Sequence, residues 1–363
     1  MQVLLLSFLA SLFATLVIIR YQHLHSHLTG DHALEGAQKF HAHAVPRVGG
    51  LGVALGLGCA AVLLLFKHDH TVTIYLYLLI AACPAFLGGL IEDISKHGGI
   101  IIRLGLTMIS ALLGYFFLDA SLIRLDIPWI DPMLSLWPIA LLLTILAVAG
   151  VANAINIIDG FNGLASMVSI MILGAMAYVS HLLGDHFLWN ACISTIGCLL
   201  GFFVWNFPRG LIFLGDSGAY LIGFLIGEIA VLLVARHPEV SAWFPLLVVI
   251  YPVFETIFSI YRKRFLRGMS PAVPDGLHLH MLVFKRLVRW AAGHSGSLRS
   301  ANAATSPYLW LLCSFSVIPA VLFWNNTLVL MAMTAAFCSV YVHLYWRIVN
   351  FRKPRLLKKR ITQ

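Results

Sequence analysis

The chain has 363 residues, of which 60% are hydrophobic and 11% charged, and its formal net charge is +9. A soluble globular domain carries about 25% charged residues, so this composition excludes an ordinary soluble protein and predicts a polytopic membrane protein. In such a protein, excess Lys and Arg report topology and attraction to anionic lipids, so the charge does not indicate nucleic-acid binding. The six cysteines include no C-x-x-C pair, which argues against a disulfide scaffold or a structural zinc site.

Apolar runs long enough to cross a bilayer as helices, which takes about 20 residues, recur along the whole chain. They predict one all-α membrane domain over residues 1–363 with eleven transmembrane helices. The first run lacks basic residues before it and a small-residue cleavage site after it, so we expect a retained helix. The predicted spans cover residues 2–20, 48–66, 72–91, 100–118, 134–152, 164–183, 187–204, 217–235, 241–261, 308–323 and 328–346.

Basic residues are distributed very unevenly between the two sides of this topology. All but three of the 24 Lys and Arg residues lie on one side, and the exceptions are Lys67, Arg124 and Arg236. Because Lys and Arg are enriched in cytoplasmic loops, the N-terminus is predicted outside and the basic tail, residues 347–363, in the cytoplasm.

Five polar stretches interrupt the apolar pattern, and all of them lie at the predicted cytoplasmic side. A transporter places its polar groups near the bilayer midplane on interrupted helices. Polar groups at one interface instead favour an enzyme that acts on a cytoplasmic substrate and a lipid head group. The stretches are "KFHAHAVPRVGG" (39–50), "GGLIEDISK" (88–96), "NAINIIDGFNG" (153–163), "FLGDSGAY" (213–220) and "PDGLHLHM" (274–281).

Four of the acidic residues in these stretches are Glu92, Asp93, Asp159 and Asp216, and Lys96 is the one basic residue near any of them in sequence. Carboxylates that converge on one cleft repel each other unless a cation neutralises them. Oxygen ligands without thiolates suit Mg²⁺ or Mn²⁺, and Mg²⁺ commonly bridges carboxylates to substrate phosphates. The acids therefore indicate metal-assisted phosphoryl chemistry at the membrane face.

The same stretches contain side chains that could donate hydrogen bonds to a phosphate. Arg47 and the two histidines of H-L-H, His278 and His280, can donate hydrogen bonds to phosphate oxygens. His41 and His43 precede the "PRVGG" segment and are further candidates. Glycines beside the acids would let a phosphate approach backbone N–H groups.

Taken together, the motifs "PRVGG", "GLIEDISK", "NAINIIDGFNGLA", "FLGDSGAYLIGF" and "SPAVPDGLHLHML" resemble the polyprenyl-phosphate N-acetylhexosamine-1-phosphate transferases. That superfamily also contains phospho-MurNAc-pentapeptide translocase. The resemblance extends over residues 39–282. It implies transfer of a sugar-1-phosphate from a UDP-sugar to undecaprenyl phosphate, with Mg²⁺ as cofactor and UMP as product. It also implies a bacterial inner membrane enzyme that starts a lipid-linked glycan of the cell wall, O-antigen or lipopolysaccharide.

The resemblance assigns roles to individual residues. It makes Asp216 the Mg²⁺ ligand, and it places the catalytic acids Glu92 and Asp93 by the acceptor phosphate. Asp159 joins them as a third catalytic residue that lines the nucleotide-sugar cleft. The residues that would bind substrate are Arg47, Asn153, Asn156, Asn162, His278 and His280.

Three positions depart from the family pattern: Glu92 and Asn162 stand where Asp is usual, and Met281 where His is usual. The H-x-H form favours a simple N-acetylhexosamine-1-phosphate donor over a muramoyl-pentapeptide. Two other functions remain open, namely a transporter or flippase of an anionic lipid-linked substrate and a catalytically inactive relative. The sequence leaves open the sugar, the pathway and whether the protein is a monomer or a homodimer.

Two further acids lie within predicted spans. Glu255 shares a helix face with Arg262, and a structural pair with a neighbouring helix is as good an interpretation as a functional role. Glu228 lies in an apolar segment, and no role follows from its neighbours in sequence.

Overall fold

We describe the protein from a computed structural model, in which residues 1–29, 45–95, 99–270, 276–288 and 298–350 are described. His41 and His43 lie outside these ranges. The described residues form helices and connecting turns without a β-strand, which confirms the all-α prediction.

The chain runs through fifteen described α-helices and two short π-helical segments. The π-helical segments are Arg262–Leu266 and Val283–Val288. The α-helices are α1 (Gln2–Arg20), α2 (Gln22–Thr29), α3 (Gly49–Phe66), α4 (Val72–Ser95), α5 (Ile100–Leu118), α6 (Asp131–Leu134), α7 (Trp137–Ile158), α8 (Leu164–Leu182), α9 (His186–Asn206), α10 (Gly215–Arg236), α11 (Trp243–Val248), α12 (Ile250–Tyr261), α13 (Leu279–Leu282), α14 (Leu298–Leu322) and α15 (Thr327–Val349).

Ten of the described helices are long and apolar enough to cross a membrane, whereas the sequence predicts eleven spans. The difference lies in the predicted span 241–261, which forms two helices, α11 and α12, that meet at Val249. Pro252 lies in the first turn of α12, and because proline has no N–H it cannot continue the hydrogen-bond pattern across this junction. Apolar length alone does not reveal this break.

The last predicted loop is partly helical as well. The predicted span 308–323 is only the C-terminal part of α14, which begins ten residues earlier at Leu298. Its first turns are too polar to read as membrane-spanning. They are nevertheless rich in alanine, a strong helix former, and they bury Asn302 and Thr305 against the bundle.

Helix α10 lies at the centre of the bundle and is buried on nearly all sides. It packs closely against α3, α4 and α7, because small residues let the backbones approach. A Cβ atom at Gly50 of α3 would lie 2.3 Å from the backbone N of Gly218, and one at Gly223 would lie 2.5 Å from the Cα of Ala152 in α7. The N-terminal half of α10 is therefore held by three neighbouring helices.

Candidate active site

A cavity of about 350 Å³ lies at one end of the helix bundle. There α4, α7 and α9 end, while α3, α5 and α10 begin. Polar side chains from α4, α5, α7, α9 and α10, and from the segments before α3, after α7 and before α13, line the cavity. They are Arg47, Glu92, Arg103, Asn156, Asp159, Asn162, Asn206, Asp216 and His278. The five polar stretches of the sequence therefore each contribute at least one residue.

Asp216, in the first turn of α10, lies where most of the polar contacts converge. Its Oδ1 accepts a hydrogen bond from the Nδ2 of Asn156 at 2.7 Å. The guanidinium of Arg103 donates to its Oδ2, and the Nη2 of Arg47 lies 3.9 Å from Oδ1. With 10% of its side chain exposed, Asp216 is a nearly buried carboxylate surrounded by cationic and amide donors. The orientation of this carboxylate is therefore fixed by contacts from α5 and α7.

Asp93 lies behind the cavity wall, and it is only 2% exposed. Its Oδ1 accepts the backbone N–H of Asp216 at 2.8 Å. Its Oδ2 accepts the N–H of Ser217 at 2.9 Å and the hydroxyl of Ser217 at 2.6 Å. Both oxygens are thus occupied by the first turn of α10. The side chain of Asp93 points at a helix end, and its place relative to the acceptor phosphate stays a prediction.

Glu92 and Asp159 face the cavity instead. The Oε2 of Glu92 is buried and has no hydrogen-bond partner among the described residues. Asp159 follows the last residue of α7 and is half-buried. Burial of its carboxyl and the nearby charge of Asp216 raise the pKa of Asp159 to about 7, against the opposing effect of Arg47. Each acid would be stabilised by a cation bound in the cavity.

The three asparagines of the third polar stretch differ in whether they line the cavity and in what they bond to. Asn156 lines the cavity, whereas Asn153 does not and accepts a hydrogen bond from the hydroxyl of Tyr220 at 3.2 Å. Asn162 lines the cavity but is 3% exposed, and its Nδ2 donates to the carbonyl of Pro208 at 3.1 Å. The predicted substrate contact is therefore geometrically open to Asn156, while Asn153 and Asn162 are engaged within the protein.

The two histidines of the last polar stretch also differ. His278 lines the cavity and its Nδ1 lies 3.0 Å from the Oε1 of Glu255. His280 is fully buried, stacks on His278 with ring centroids 5.3 Å apart, and meets the ring of Phe161 edge-on. His280 therefore supports the inner wall, and His278 is the histidine that a ligand in the cavity can reach.

The glycines beside the acids are explained by helix packing. A Cβ at Gly89 would lie 2.4 Å from the backbone carbonyl of Asp216, and one at Gly218 would lie 3.0 Å from the Cα of Gly50. Of the glycines that lie beside the acids in sequence, Gly160 and Gly215 line the cavity. Close backbone approach, rather than phosphate access, explains Gly89 and Gly218.

The donor set of the cavity fits a hard divalent cation. Its acids offer oxygen ligands only, and the buried, unpartnered Oε2 of Glu92 would gain a partner. Among the described residues, no three His, Cys, Asp or Glu side chains are arranged to hold a metal by themselves. Mg²⁺ commonly binds through one or two carboxylates and completes its shell with water and substrate phosphates, so such a preformed group is not needed.

Sequence reasoning missed several residues of this site. Arg103 lies in the first turn of α5, where a basic residue is typical of a helix end at the membrane interface and does not by itself indicate a site. Asn206 accepts the N–H of Gly163 at 2.6 Å and so holds the turn after Asp159. From α14, the Oδ1 of Asn302 accepts the N–H of Asn162 at 2.9 Å. Nothing in the sequence pattern links these distant residues.

This constellation defines an integral membrane protein with a polar, mixed-charge cavity at the ends of its helices. Residues 75–234 match the model of glycosyl transferase family 4, and this range includes Glu92, Asp159 and Asp216. Over these residues the chain is similar to that family, which is the family that the motifs predict.

Relatives of known name are similar over parts of the chain that range from 26% to 72% of its length. A probable undecaprenyl-phosphate N-acetylglucosaminyl 1-phosphate transferase of Bacillus subtilis (strain 168) is 26% identical over 72% of this chain and 70% of its own. The undecaprenyl-phosphate alpha-N-acetylglucosaminyl 1-phosphate transferase of Salmonella typhi is 29% identical over 68% of this chain and 67% of its own. A phospho-N-acetylmuramoyl-pentapeptide-transferase of Streptococcus pneumoniae is 34% identical over 26% of this chain and 27% of its own.

Proposed function

We propose that the protein transfers N-acetylhexosamine-1-phosphate from a UDP-sugar to undecaprenyl phosphate and releases UMP, to start a lipid-linked cell-surface glycan. One observation carries the proposal: two arginines and three acids converge on one cavity at the ends of membrane helices. The arginines are Arg47 and Arg103, and the acids are Glu92, Asp159 and Asp216. Positioned cations and metal-binding acids are what transfer between two phosphate groups requires. The names of the relatives support this reaction class.

The proposed reaction is an in-line displacement. An oxygen of the acceptor phosphate forms a bond to the β-phosphorus of the donor. The bond from that phosphorus to the bridging oxygen breaks, and UMP leaves with this oxygen. Because a phosphate monoester has a second pKa near 6, the acceptor is mostly ionised at pH 7 and needs little help from a general base. The enzyme then acts mainly by positioning two anions and neutralising their charge.

The roles of the residues follow from their places in the cavity. Arg47 and Arg103 donate to phosphate oxygens, and Asn156 orients the carboxylate of Asp216. Mg²⁺, when bound beside Asp216, supplies neutralising charge for the diphosphate. Glu92 faces the cavity next to these groups, whereas Asp93 acts through the helix end that carries Asp216. We propose Glu92, rather than Asp93, as the acid nearest the acceptor phosphate.

We also propose that the protein lies in a bacterial plasma membrane with this cavity at the cytoplasmic face. A soluble UDP-sugar and a membrane-bound acceptor can meet only at a membrane surface. The asymmetry of Lys and Arg between the predicted loops supports the cytoplasmic side.

The test uses the purified protein in detergent with undecaprenyl phosphate, Mg²⁺ and a panel of UDP-N-acetylhexosamines, with UMP as the measured product. We expect UMP from at least one donor, and at least about a hundredfold loss of rate in Asp216→Asn. Asp119→Asn is the matched control, because Asp119 is exposed and follows α5 at the far end of the bundle. An absence of UMP with every donor would leave the transport and inactive-relative alternatives and would overturn the proposal.

A further inference from the structure

The ring of His278 is held by an acid from a different helix. The Oε1 of Glu255, in α12, lies 3.0 Å from the Nδ1 of His278. The same oxygen accepts the backbone N–H of Leu279 at 3.1 Å. One carboxylate oxygen therefore fixes both the ring of His278 and the first N–H of the helix that follows it.

Glu255 is itself tightly held. It is 1% exposed, and its second oxygen accepts the hydroxyl of Tyr341, in α15, at 2.7 Å. A buried carboxylate keeps its charge only when partners replace the lost water. Glu255 has three such donors, so its orientation toward His278 is determined by α12 and α15 together.

The backbone before His278 is also anchored. The guanidinium of Arg262 donates to the carbonyl of Leu277 and, at 2.7 Å, to the hydroxyl of Tyr345. The Tyr345 hydroxyl in turn donates to the same carbonyl of Leu277 at 3.2 Å. Arg262 thus holds the backbone before His278, while Glu255 holds its ring and the N–H that follows, so His278 lies between two anchors.

We propose that Glu255 is a positioning residue, which orients the imidazole of His278 so that its Nε2 serves the phosphate-binding cavity. This inference rests on the function proposed above. A carboxylate at Nδ1 keeps the proton on that nitrogen and fixes the plane of the ring. The remaining nitrogen, Nε2, is then the one that can meet a donor phosphate.

A purely structural role for Glu255 predicts different behaviour. In that case, its loss would weaken the bundle at α12 and α15 and reduce the amount of folded protein. It would leave the kinetic constants of the folded fraction unchanged. The two roles can therefore be separated by kinetics rather than by yield.

The experiment compares Glu255→Gln, Glu255→Asp and a matched control, Asp185→Asn. Asp185 is also a buried acid with a histidine partner, since it accepts from the N–H of Leu188 and lies 3.0 Å from the Nε2 of His237. It lies at the start of α9, at the opposite end of the bundle from the cavity. We expect Glu255→Gln to raise the KM for the UDP-sugar by about tenfold or more, with the KM for the lipid acceptor unchanged. Asp185→Asn should leave both constants unchanged, and Glu255→Asp should restore part of the donor affinity.

A double mutant separates action through His278 from any other effect. If Glu255 acts through His278, adding Glu255→Gln to His278→Asn should change the donor KM by less than about twofold. Independent losses that multiply in the double mutant would overturn the proposal.

A second measurement does not depend on activity. In protein labelled with ¹⁵N-histidine, the His278 signal is identified by its loss in His278→Asn. We expect wild-type His278 to carry a proton on Nδ1 and Glu255→Gln to shift this pattern, while Asp185→Asn leaves it unchanged. An unchanged signal in Glu255→Gln would overturn the proposal, even if no donor gives UMP and the proposed function fails on its own.

Discussion

Asp93 caps the helix that carries Asp216: its Oδ1 accepts the backbone N–H of Asp216 at 2.8 Å, and its Oδ2 accepts two hydrogen bonds from Ser217. The cap comes from the last turn of α4 and not from the residue before α10, whose own N-cap, Leu214, has no side-chain hydrogen bond. The two acids of the "IED" motif therefore have different surroundings. Glu92 faces the cavity, and Asp93 holds the helix end on which the predicted metal ligand stands.

These different surroundings predict that only one of the two acids affects the stability of the fold. Asp93→Ala leaves two buried N–H groups without partners, so we expect the free energy of unfolding to fall by about 2–3 kcal/mol, together with a loss of activity. Asp93→Asn keeps an oxygen that can cap, so it should retain more activity than Asp93→Ala. Glu92→Gln should lose activity without a fall in thermal stability. Unfolding temperatures in detergent and UMP release measure both properties, and a Glu92→Gln protein that is fully active would contradict the assignment.

Arg103 is expected to depend on its shape as well as on its charge. Its guanidinium donates to Asp216 and lies 5.9 Å from the ring centroid of Tyr220. These two contacts hold the guanidinium group in one orientation. Lysine keeps the positive charge but lacks the planar set of N–H donors that arginine offers. We expect Arg103→Lys to lower kcat/KM for the donor by about tenfold and Arg103→Ala by about a hundredfold. Arg236→Lys, a half-exposed arginine at the other end of the bundle, is the control and should leave kcat/KM unchanged.

Two glycines on neighbouring helices should respond in opposite directions to alanine. A Cβ at Gly89 would lie 2.4 Å from backbone atoms of Asp216 and Ser217, which cannot move aside without shifting α10. We expect Gly89→Ala to destabilise the protein by about 1–3 kcal/mol and to impair catalysis. Gly105, in α5, has open space around its Cβ position, so Gly105→Ala should be neutral or stabilise by up to about 1 kcal/mol. Equal unfolding temperatures for the two variants would contradict this account.

The positions of most spans could be predicted from the sequence, because a bilayer requires a long apolar run and such runs are visible without structure. The junction at Val249 could not, since the apolar pattern continues through 241–261 and only the backbone reveals where Pro252 interrupts the helix. The start of α14 was also missed, because its first turns are too polar for a hydropathy criterion although they are helical.

Some residues of the candidate site could likewise be predicted from the sequence, and others could not. Residues in local motifs, such as Glu92, Asp159 and Asp216, were recognised because a cluster of acids is unusual in an apolar chain. Glu255 and Arg103 contact the site from other helices, and such contacts depend on three-dimensional packing. The direction of a side chain is hidden in the same way: Glu92 and Asp93 are neighbours in sequence, yet only one of them faces the cavity.

Two acids at the far end of the bundle should make stability depend on pH. Burial opposes ionisation of Asp126, but hydrogen bonds from the N–H of Ala242 and from Arg124 outweigh it, so its pKa lies below the usual 3.8. Burial likewise opposes ionisation of Asp185, and the N–H of Leu188 and Arg236 lower its pKa. A lowered pKa in the folded state means stability that is fully present above the unfolded value and is lost as the pH falls through the folded value.

We therefore expect the unfolding temperature to fall steeply below about pH 4. Variants Asp126→Asn and Asp185→Asn should be less stable than wild type at neutral pH, and they should lose less on acidification. Thermal unfolding in detergent from pH 6 to pH 3 measures this. Parallel curves for wild type and both variants would show that these acids do not carry the pH dependence.

Asn162 departs from the Asp that the motif resemblance leads one to expect, and its contacts predict that the amide is needed. Its Nδ2 donates to the carbonyl of Pro208 at 3.1 Å, and a carboxylate cannot make that bond. Asn162→Asp would instead place a negative charge beside a carbonyl oxygen, at a position where the native residue is only 3% exposed. The backbone of Asn162 remains bonded to Asn302 and Ser306, so the turn should persist while the side chain loses its partner.

We expect Asn162→Asp to lower the unfolding temperature and to raise the donor KM about as much as Asn162→Ala does, by roughly tenfold. A carboxylate that could replace the amide would instead give near-normal kinetics in Asn162→Asp and a loss only in Asn162→Ala. UMP release at varied UDP-sugar concentrations, with unfolding temperatures of the same preparations, distinguishes the two outcomes. The first outcome means that the position acts by holding the turn after Asp159 against Pro208.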